Sequence, residues 1–229
     1  MATSGTRTFN PQFSDLMTEA FSRCLIRPQS IVQDHIDEAV RKGNLALITF
    51  ANRTQMQFQI QAVSLDLEAE EPTYVLPVGA LEVWSMVHRR DGVDTPIWPM
   101  ARTSYQRIPS KEHEGRPFNY FTERGKTGNG QRTVTFWPTP DRDTDTAELW
   151  CLMRPEDITG LPEEIGVAWE WFDALAGEVA WRLAGSFAPE LKADLQNDAE
   201  KAYTMAKRAD RERAPLRLRM RGYTRGRRF

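Results

Sequence analysis

Apolar residues recur at helical spacing near both ends of the chain and at alternate positions in its middle, which predicts three zones. In the first zone Phe13, Leu16, Met17, Ala20, Phe21, Cys24 and Leu25 share one helical stripe. Asn10-Pro11 offers a capping side chain and a first-turn proline. Arg27-Pro28 ends the stripe, because a residue before proline avoids the helical region. Ser30 with Gln33 predicts a capping box for a second helix, with Val32, Ile36, Ala39, Val40, Leu47 and Phe50 facing inward. Gly43 inside that helix costs about 1 kcal/mol relative to alanine, so a kink or a close contact is expected there.

The middle zone, residues 55–155, reads as strands. Residues 55–62 alternate, and Gln55, Gln57, Gln59 and Gln61 fill every polar position. Val63, Leu65 and Leu67 continue the alternation in the opposite phase, the pattern of one inserted residue and hence of a β-bulge. Further strands are predicted at 74–76, 81–89, 118–124, 133–137 and 148–153. Turn chemistry separates them at Asp91-Gly92, at Gly125 with Gly128-Asn129-Gly130, and at Pro138-Thr139-Pro140-Asp141. The pair flanking residues 125–130 reads as a hairpin. No long helix alternates with these strands, so the sheet is expected to be antiparallel or mixed.

In the third zone Leu161-Pro162-Glu163-Glu164 leads into residues 169–187, where Trp169, Trp171, Phe172, Leu175, Val179, Trp181, Leu183 and Phe187 cover most of a helix circumference. Such a helix is expected to be buried on several sides. Ala188-Pro189 opens a last helix whose stripe of Leu191, Leu195, Ala199, Ala202, Ala206 and Ala209 is narrow enough for close packing, and Pro215 ends it. The expected fold is α+β: a bundle of two N-terminal and two C-terminal helices, a small, mostly antiparallel β region, and an extended basic tail. The expected division is a flexible stretch 1–9, a body 10–215 with helices in 10–54 and 163–214 around the strand-rich 55–155, and a tail 216–229.

The tail carries Leu216, Arg217, Leu218, Arg219, Met220, Arg221, Tyr223, Arg225, Arg227, Arg228 and Phe229, with six arginines and no acid. The net charge of −2 over 229 residues is therefore uninformative as a whole, since +6 in the tail leaves −8 on residues 1–215. Apolar residues and arginines alternate over 216–221. An extended chain sends them to opposite sides, as suits a strand added to another protein with its guanidiniums on carboxylates. A disordered basic tail and a phosphate-binding tail are the other two readings. The Leu/Met alternation favours a protein partner, for phosphate has no use for it.

Candidate chemistry is sparse. Hydrophobic residues make up 40% of the chain, enough for a core, and no apolar run reaches membrane length. The first residues lack the apolar segment of a signal peptide, so synthesis in the cytosol is expected. Cys24 and Cys151 sit in apolar patterns and read as buried free thiols. His35, His88 and His113 have no metal-ligand spacing. Asp141-Arg142-Asp143-Thr144-Asp145 opens like a calcium loop, but Thr146 and Leu152 replace its glycine and closing glutamate, so a solvated turn is expected. Gly125-Lys126-Thr127 lacks the first glycine of a phosphate loop, where Tyr120 stands. Trp84, Trp98, Trp137, Trp150, Trp169, Trp171 and Trp181 fall mostly in strand and helix patterns and read as core. No nucleophile with a paired base is visible, so neither an enzyme nor a cofactor is expected.

Five short segments occur in an order that resembles the head-to-tail adaptor proteins of tailed bacteriophages. They are Tyr74-Val75-Leu76-Pro77, Thr95-Pro96-Ile97-Trp98-Pro99-Met100-Ala101-Arg102-Thr103-Ser104-Tyr105, Gly115-Arg116-Pro117-Phe118-Asn119-Tyr120-Phe121, Thr135-Phe136-Trp137-Pro138-Thr139-Pro140-Asp141 and Arg154-Pro155-Glu156-Asp157. The closing pattern agrees: Leu161-Pro162-Glu163-Glu164, Trp181-Arg182-Leu183-Ala184, and Ala209-Asp210-Arg211-Glu212-Arg213. The resemblance covers residues 70–215. It implies a dodecameric ring beneath the portal in the virion neck, assembled in the host cytoplasm, with packaged DNA passing through the channel and a tail or nozzle protein below. It also implies that the C-terminal segment reaches the portal. The glutamines of 55–61 and the small-residue stripe would then serve as contacts between neighbouring subunits. The competing classes are a nucleic-acid-binding protein that uses the arginine tail on phosphate and a hydrolase, which would need a concave pocket with coupled titratable groups.

Overall fold

The computed structural model describes residues 12–125 and 131–210. In chain order the elements are α1 (Phe13–Arg23), α2 (Gln33–Arg53), β1 (Ile60–Asp66), β2 (Thr73–Val75), β3 (Ala80–Arg90), β4 (Val93–Pro96), β5 (Trp98–Pro99), α3 (Arg102–Gln106), β6 (Asn119–Arg124), β7 (Arg132–Trp137), β8 (Thr146–Met153), α4 (Phe172–Phe187) and α5 (Lys192–Ala209). The strands form two four-stranded sheets, ordered β1-β8-β3-β4 and β2-β7-β6-β5. All pairings are antiparallel except the short β5–β6 pair.

The chain builds two cores. The helical one gathers around α4, which is apolar on most sides and packs against α1, α2 and α5. The stripe of α1 is buried as expected from Phe13 to Cys24. Leu25 instead lies 79% exposed. It takes the left-handed conformation (φ 60°) just past the helix, which turns its side chain away from the stripe. Gly43 makes a close contact rather than a kink: a Cβ there would meet Ile158 at 3.0 Å and Phe13 at 3.1 Å. The other core lies between the sheets, which contribute Val83, Met86, Ala147, Leu149 and Cys151 on one side and Tyr120, Val134 and Phe136 on the other. Both cysteines are free, one in each core, and burial pushes each thiol up to about 11.

Several local expectations fail for identifiable reasons. The second helix begins at Gln33, not Ser30, because the Val32 N–H donates to His35 Nδ1 at 3.1 Å and leaves Val32 exposed outside the helix. Residues 55–59 do not form a strand: a 3₁₀ turn spans Gln57–Gln59 and β1 starts at Ile60. The phase change at Ala62-Val63 falls inside β1, which pairs with β8 without a bulge. The irregularities fall in β3 instead, between Ala80 and Glu82 and between Val83 and Ser85. Strands β4 and β5 and helix α3 carry no alternation or stripe long enough to be read. The Asp91-Gly92 turn is as expected: both residues have positive φ (51° and 74°) and close a two-residue hairpin between β3 and β4.

Candidate assembly surfaces

Four features stand out, three at the surface that bear on assembly and one buried. The first is the point where the last helix releases the chain. α5 ends at Ala209, and the next residue is held: Asp210 Oδ2 accepts a hydrogen bond from the Gln57 N–H at 3.1 Å. Asp210 borders a cavity of about 280 Å³ with Thr54, Gln55, Gln57, Trp84, Trp171 and Lys207. Burial raises its pKa against the lowering effect of the Gln57 hydrogen bond. The onward chain thus departs from a fixed place beside the turn that leads into β1.

The second feature is a larger cleft of about 490 Å³, whose lining includes Gln55, Glu82, Arg124 and Arg132. Gln55 donates to Glu82 Oε2 at 2.9 Å. Arg124 and Arg132 stand directly opposite each other across β6 and β7, and no ion pair to either occurs among the described residues. Like charges in that position repel. Burial first, and then Arg124, lowers the Arg132 pKa.

The third feature is aromatic. Trp171 alone of the seven tryptophans is fully buried; Trp84, Trp98, Trp150 and Trp169 are 43%, 64%, 51% and 67% exposed. The expectation of core tryptophans is corrected by this placement. Trp150 stands on the outer face of its sheet, opposite Ala62 of β1 and Ser85 of β3. Phe118, 45% exposed, meets the Trp137 ring edge-on at 5.0 Å, and its carbonyl accepts from the Trp98 N–H at 2.9 Å. Exposed aromatics grouped in this way mark interaction surfaces more often than singly scattered apolar residues do.

The fourth feature begins in the loop of residues 141–145, where residues 141–144 are exposed, as expected of a solvated turn, but Asp145 is not. Asp145 is 1% exposed and His88 is fully buried. Their side chains meet, Nε2 to Oδ2, at 2.9 Å. Arg116 Nε donates to His88 Nδ1 at 2.9 Å, so Nε2 carries the ring proton and donates it to Asp145. Arg90 Nε donates to the same Asp145 oxygen at 2.8 Å and pairs with Asp141. Burial holds the His88 pKa below its usual value, overriding the attraction of Asp145. Asp143, too, is engaged and accepts from the Ala69 N–H at 2.6 Å. The network ties β3, the approach to β8 and the loop before β6 together. No sequence signal showed it, because its members lie 57 and 28 residues from His88.

The sequence-predicted residues are scattered. Gln59 is buried, and its amide finds no partner among the described residues. Gln57 is half-buried, while Gln55 and Gln61 are exposed. The four therefore form no common face, because the turn at 57–59 breaks the alternation. The small-residue stripe of the last helix is used internally: Ala199 and Ala206 are buried against α4, so they cannot meet a neighbour. Leu216, Arg217, Leu218, Arg219, Met220, Arg221, Tyr223, Arg225, Arg227, Arg228 and Phe229 lie outside the described residues. Among the described residues no group of metal-ligating side chains occurs, and no helix is long and apolar enough to cross a membrane.

The sequence pattern of the SU10 adaptor protein family matches residues 11–227. The chain belongs to that family. The match agrees with the phage head-to-tail adaptor resemblance and extends it at both ends, over α1, α2 and most of the basic tail. Comparison with curated proteins gives no match. Membership assigns this adaptor a structural role in a bacteriophage, in the neck of the virion, and implies contacts with portal and tail components rather than catalysis.

Proposed function

We propose that this adaptor forms a dodecameric ring beneath the portal, extends the DNA channel and offers a platform to the next tail or nozzle protein. The observation that carries the reading is the family match, which covers body and tail alike. The surface geometry supports it. A body with two cores releases its C-terminal chain from a pinned residue, Asp210, and leaves aromatic groups uncovered. In this reading Leu216, Leu218 and Met220 enter apolar pockets of the portal. Arg217, Arg219 and Arg221 meet carboxylates or solvent, and residues 223–229 extend the contact. Gln55 and Gln61 are the glutamines left to face a neighbouring subunit.

The test is a docking assay on portal, followed by electron microscopy, with two triple variants at low and high salt. Serine at 216, 218 and 220 should weaken docking strongly, since each buried side chain contributes about 1.5–3 kcal/mol. Glutamine at 217, 219 and 221 should weaken it less, because partly exposed pairs contribute about 0.2–1 kcal/mol. The reverse ranking, with a salt-sensitive loss of DNA binding in the glutamine variant, would replace portal docking with DNA contact. Light scattering should show no stable ring without portal, and a ring formed by the subunit alone refutes templated assembly.

A further inference from the structure

β1 is the last strand of its sheet. It hydrogen-bonds to β8 alone, and its other edge meets no strand among the described residues. An open edge of seven residues is a template for one more strand. Its inward side chains, Val63 and Leu65, pack on the β core yet stay only half-buried, so apolar surface remains uncovered along this edge. The opposite face carries Ala62, Ser64 and Asp66, all exposed.

The chain runs on from β1 into an acidic turn. Asp66, Glu68, Glu70 and Glu71 are all exposed, and none joins an ion pair among the described residues. The backbone of this turn is pinned. The Glu68 N–H donates to the Tyr74 hydroxyl at 2.7 Å, and that hydroxyl donates back to the Glu68 carbonyl at 3.1 Å. The Ala69 N–H donates to Asp143, and the Glu70 N–H to the Pro140 carbonyl at 3.0 Å. The fixed backbone carries Glu68 and Glu70 between Asp66 and Glu71, with no ion pair to any of the four among the described residues.

The chain beyond Asp210 begins near the start of β1, at the end of its sheet and on the side of β3, whose Trp84 lines the same cavity. Asp210 is bonded to Gln57, three residues before β1 starts. From Asp210 to Leu216 are six residue steps, which reach at most about 20 Å. β1 itself is about 23 Å long, so residues 216–221 can lie along it. Their alternation fits the two faces: Leu216, Leu218 and Met220 beside Val63 and Leu65, and Arg217, Arg219 and Arg221 on the face of Asp66.

We infer that in the free subunit residues 216–221 add to the open edge of β1 as a fifth strand, with their arginines drawn to the carboxylates of residues 66–71. The inference goes beyond portal docking and stands without it. If the tail also docks on portal, the portal must take the segment from its own subunit. That competition keeps the edge covered until assembly, and a bare edge of this length invites wrong pairing.

Hydrogen exchange on the full-length free subunit tests it. Peptides covering residues 60–66 should be protected, and serine at 216, 218 and 220 should speed their exchange about tenfold or more while β3 and β8 stay unchanged. Glutamine at 217, 219 and 221 should produce a smaller gain that high salt abolishes. Equal exchange in all three proteins overturns the inference. Protection of β1 that appears only as protein concentration rises also overturns it, by giving the edge to the tail of a second copy. The docking reading fails separately: a serine variant that loses β1 protection yet binds portal like wild type leaves the fifth strand standing and removes the tail from the portal.

Discussion

The seam between α4 and α5 offers a substitution for which two physical rules predict opposite signs. Gly177 lies in the middle of α4, where intrinsic propensity alone says that alanine should stabilise the helix by about 1 kcal/mol. A Cβ built at Gly177 would stand 3.1 Å from the Cα and 3.2 Å from the Cβ of Ala199 on α5, and 3.3 Å from Arg23 Nη1. Carbon atoms prefer about 3.5–4.0 Å. The contact on α5 is backbone, so no side chain can swing aside, and Arg23 is held by Glu19 and Asp173. The helices must separate by several tenths of an ångström or stay compressed. Overpacking of this kind costs about 1–3 kcal/mol. Set against the propensity gain, Gly177→Ala should destabilise the protein by about 1 kcal/mol, and Gly177→Val by more because of its second branch. For a domain of this size that is a fall in Tm of about 2–4 °C for the alanine variant. Calorimetry on both variants measures it. A rise in Tm for Gly177→Ala would refute the reasoning, since it would mean that the seam yields freely. Spreading the seam also moves α5, and with it the Asp210–Gln57 bond from which the tail departs. The alanine variant should therefore show faster exchange at the Gln57 amide.

The buried network gives two further predictions. Asp145→Asn leaves Arg90 and His88 without their carboxylate and should cost about 3–5 kcal/mol in urea unfolding; an effect below about 1 kcal/mol would mean that water replaces it. Because the folded pKa of His88 is depressed, the unfolded chain binds the extra proton, so this residue's contribution is fully present above the ordinary histidine pKa and is lost as pH falls through the folded value. Urea midpoints taken between pH 8 and pH 5 should fall with pH, about as histidine titrates, and His88→Gln should flatten that dependence. On the hairpin, Arg124→Glu turns the cross-strand repulsion with Arg132 into an attraction and should stabilise by about 0.2–1 kcal/mol, less in high salt.

Long periodic segments were legible in the sequence because burial enforces their period. The stripe from Phe13 to Cys24, five of the strands and the two C-terminal helices fall within a few residues of expectation. What failed was local and short. Residues 55–59 alternate perfectly, yet Met56 and Gln59 are both buried, which a two-residue period forbids and a 3₁₀ turn allows. β4 and β5 hold four and two residues, and their neighbours rather than their own sequences define them. The charged network was invisible for a different reason: Arg90, Asp145 and Arg116 each read as ordinary turn or strand-end residues until the fold brings them to one histidine.

The tryptophans show the limit most clearly. A large apolar residue in a strand or helix pattern signals burial but not the molecule that supplies the cover. Trp171 finds its cover within the chain, packed on Phe50 and Tyr203 at 5.6 Å from each ring. Trp84, Trp150 and Trp169 obey the same patterns and stay open. The same holds for Val63 and Leu65, which alternate as core residues do and are half-covered at the edge of β1. A chain shaped for assembly carries part of its apolar surface for other chains, or for segments that add later, and the sequence marks both uses in the same way. The open aromatics and the bare edge therefore count as positive observations: at these positions the local pattern is satisfied, and the described residues leave it uncovered.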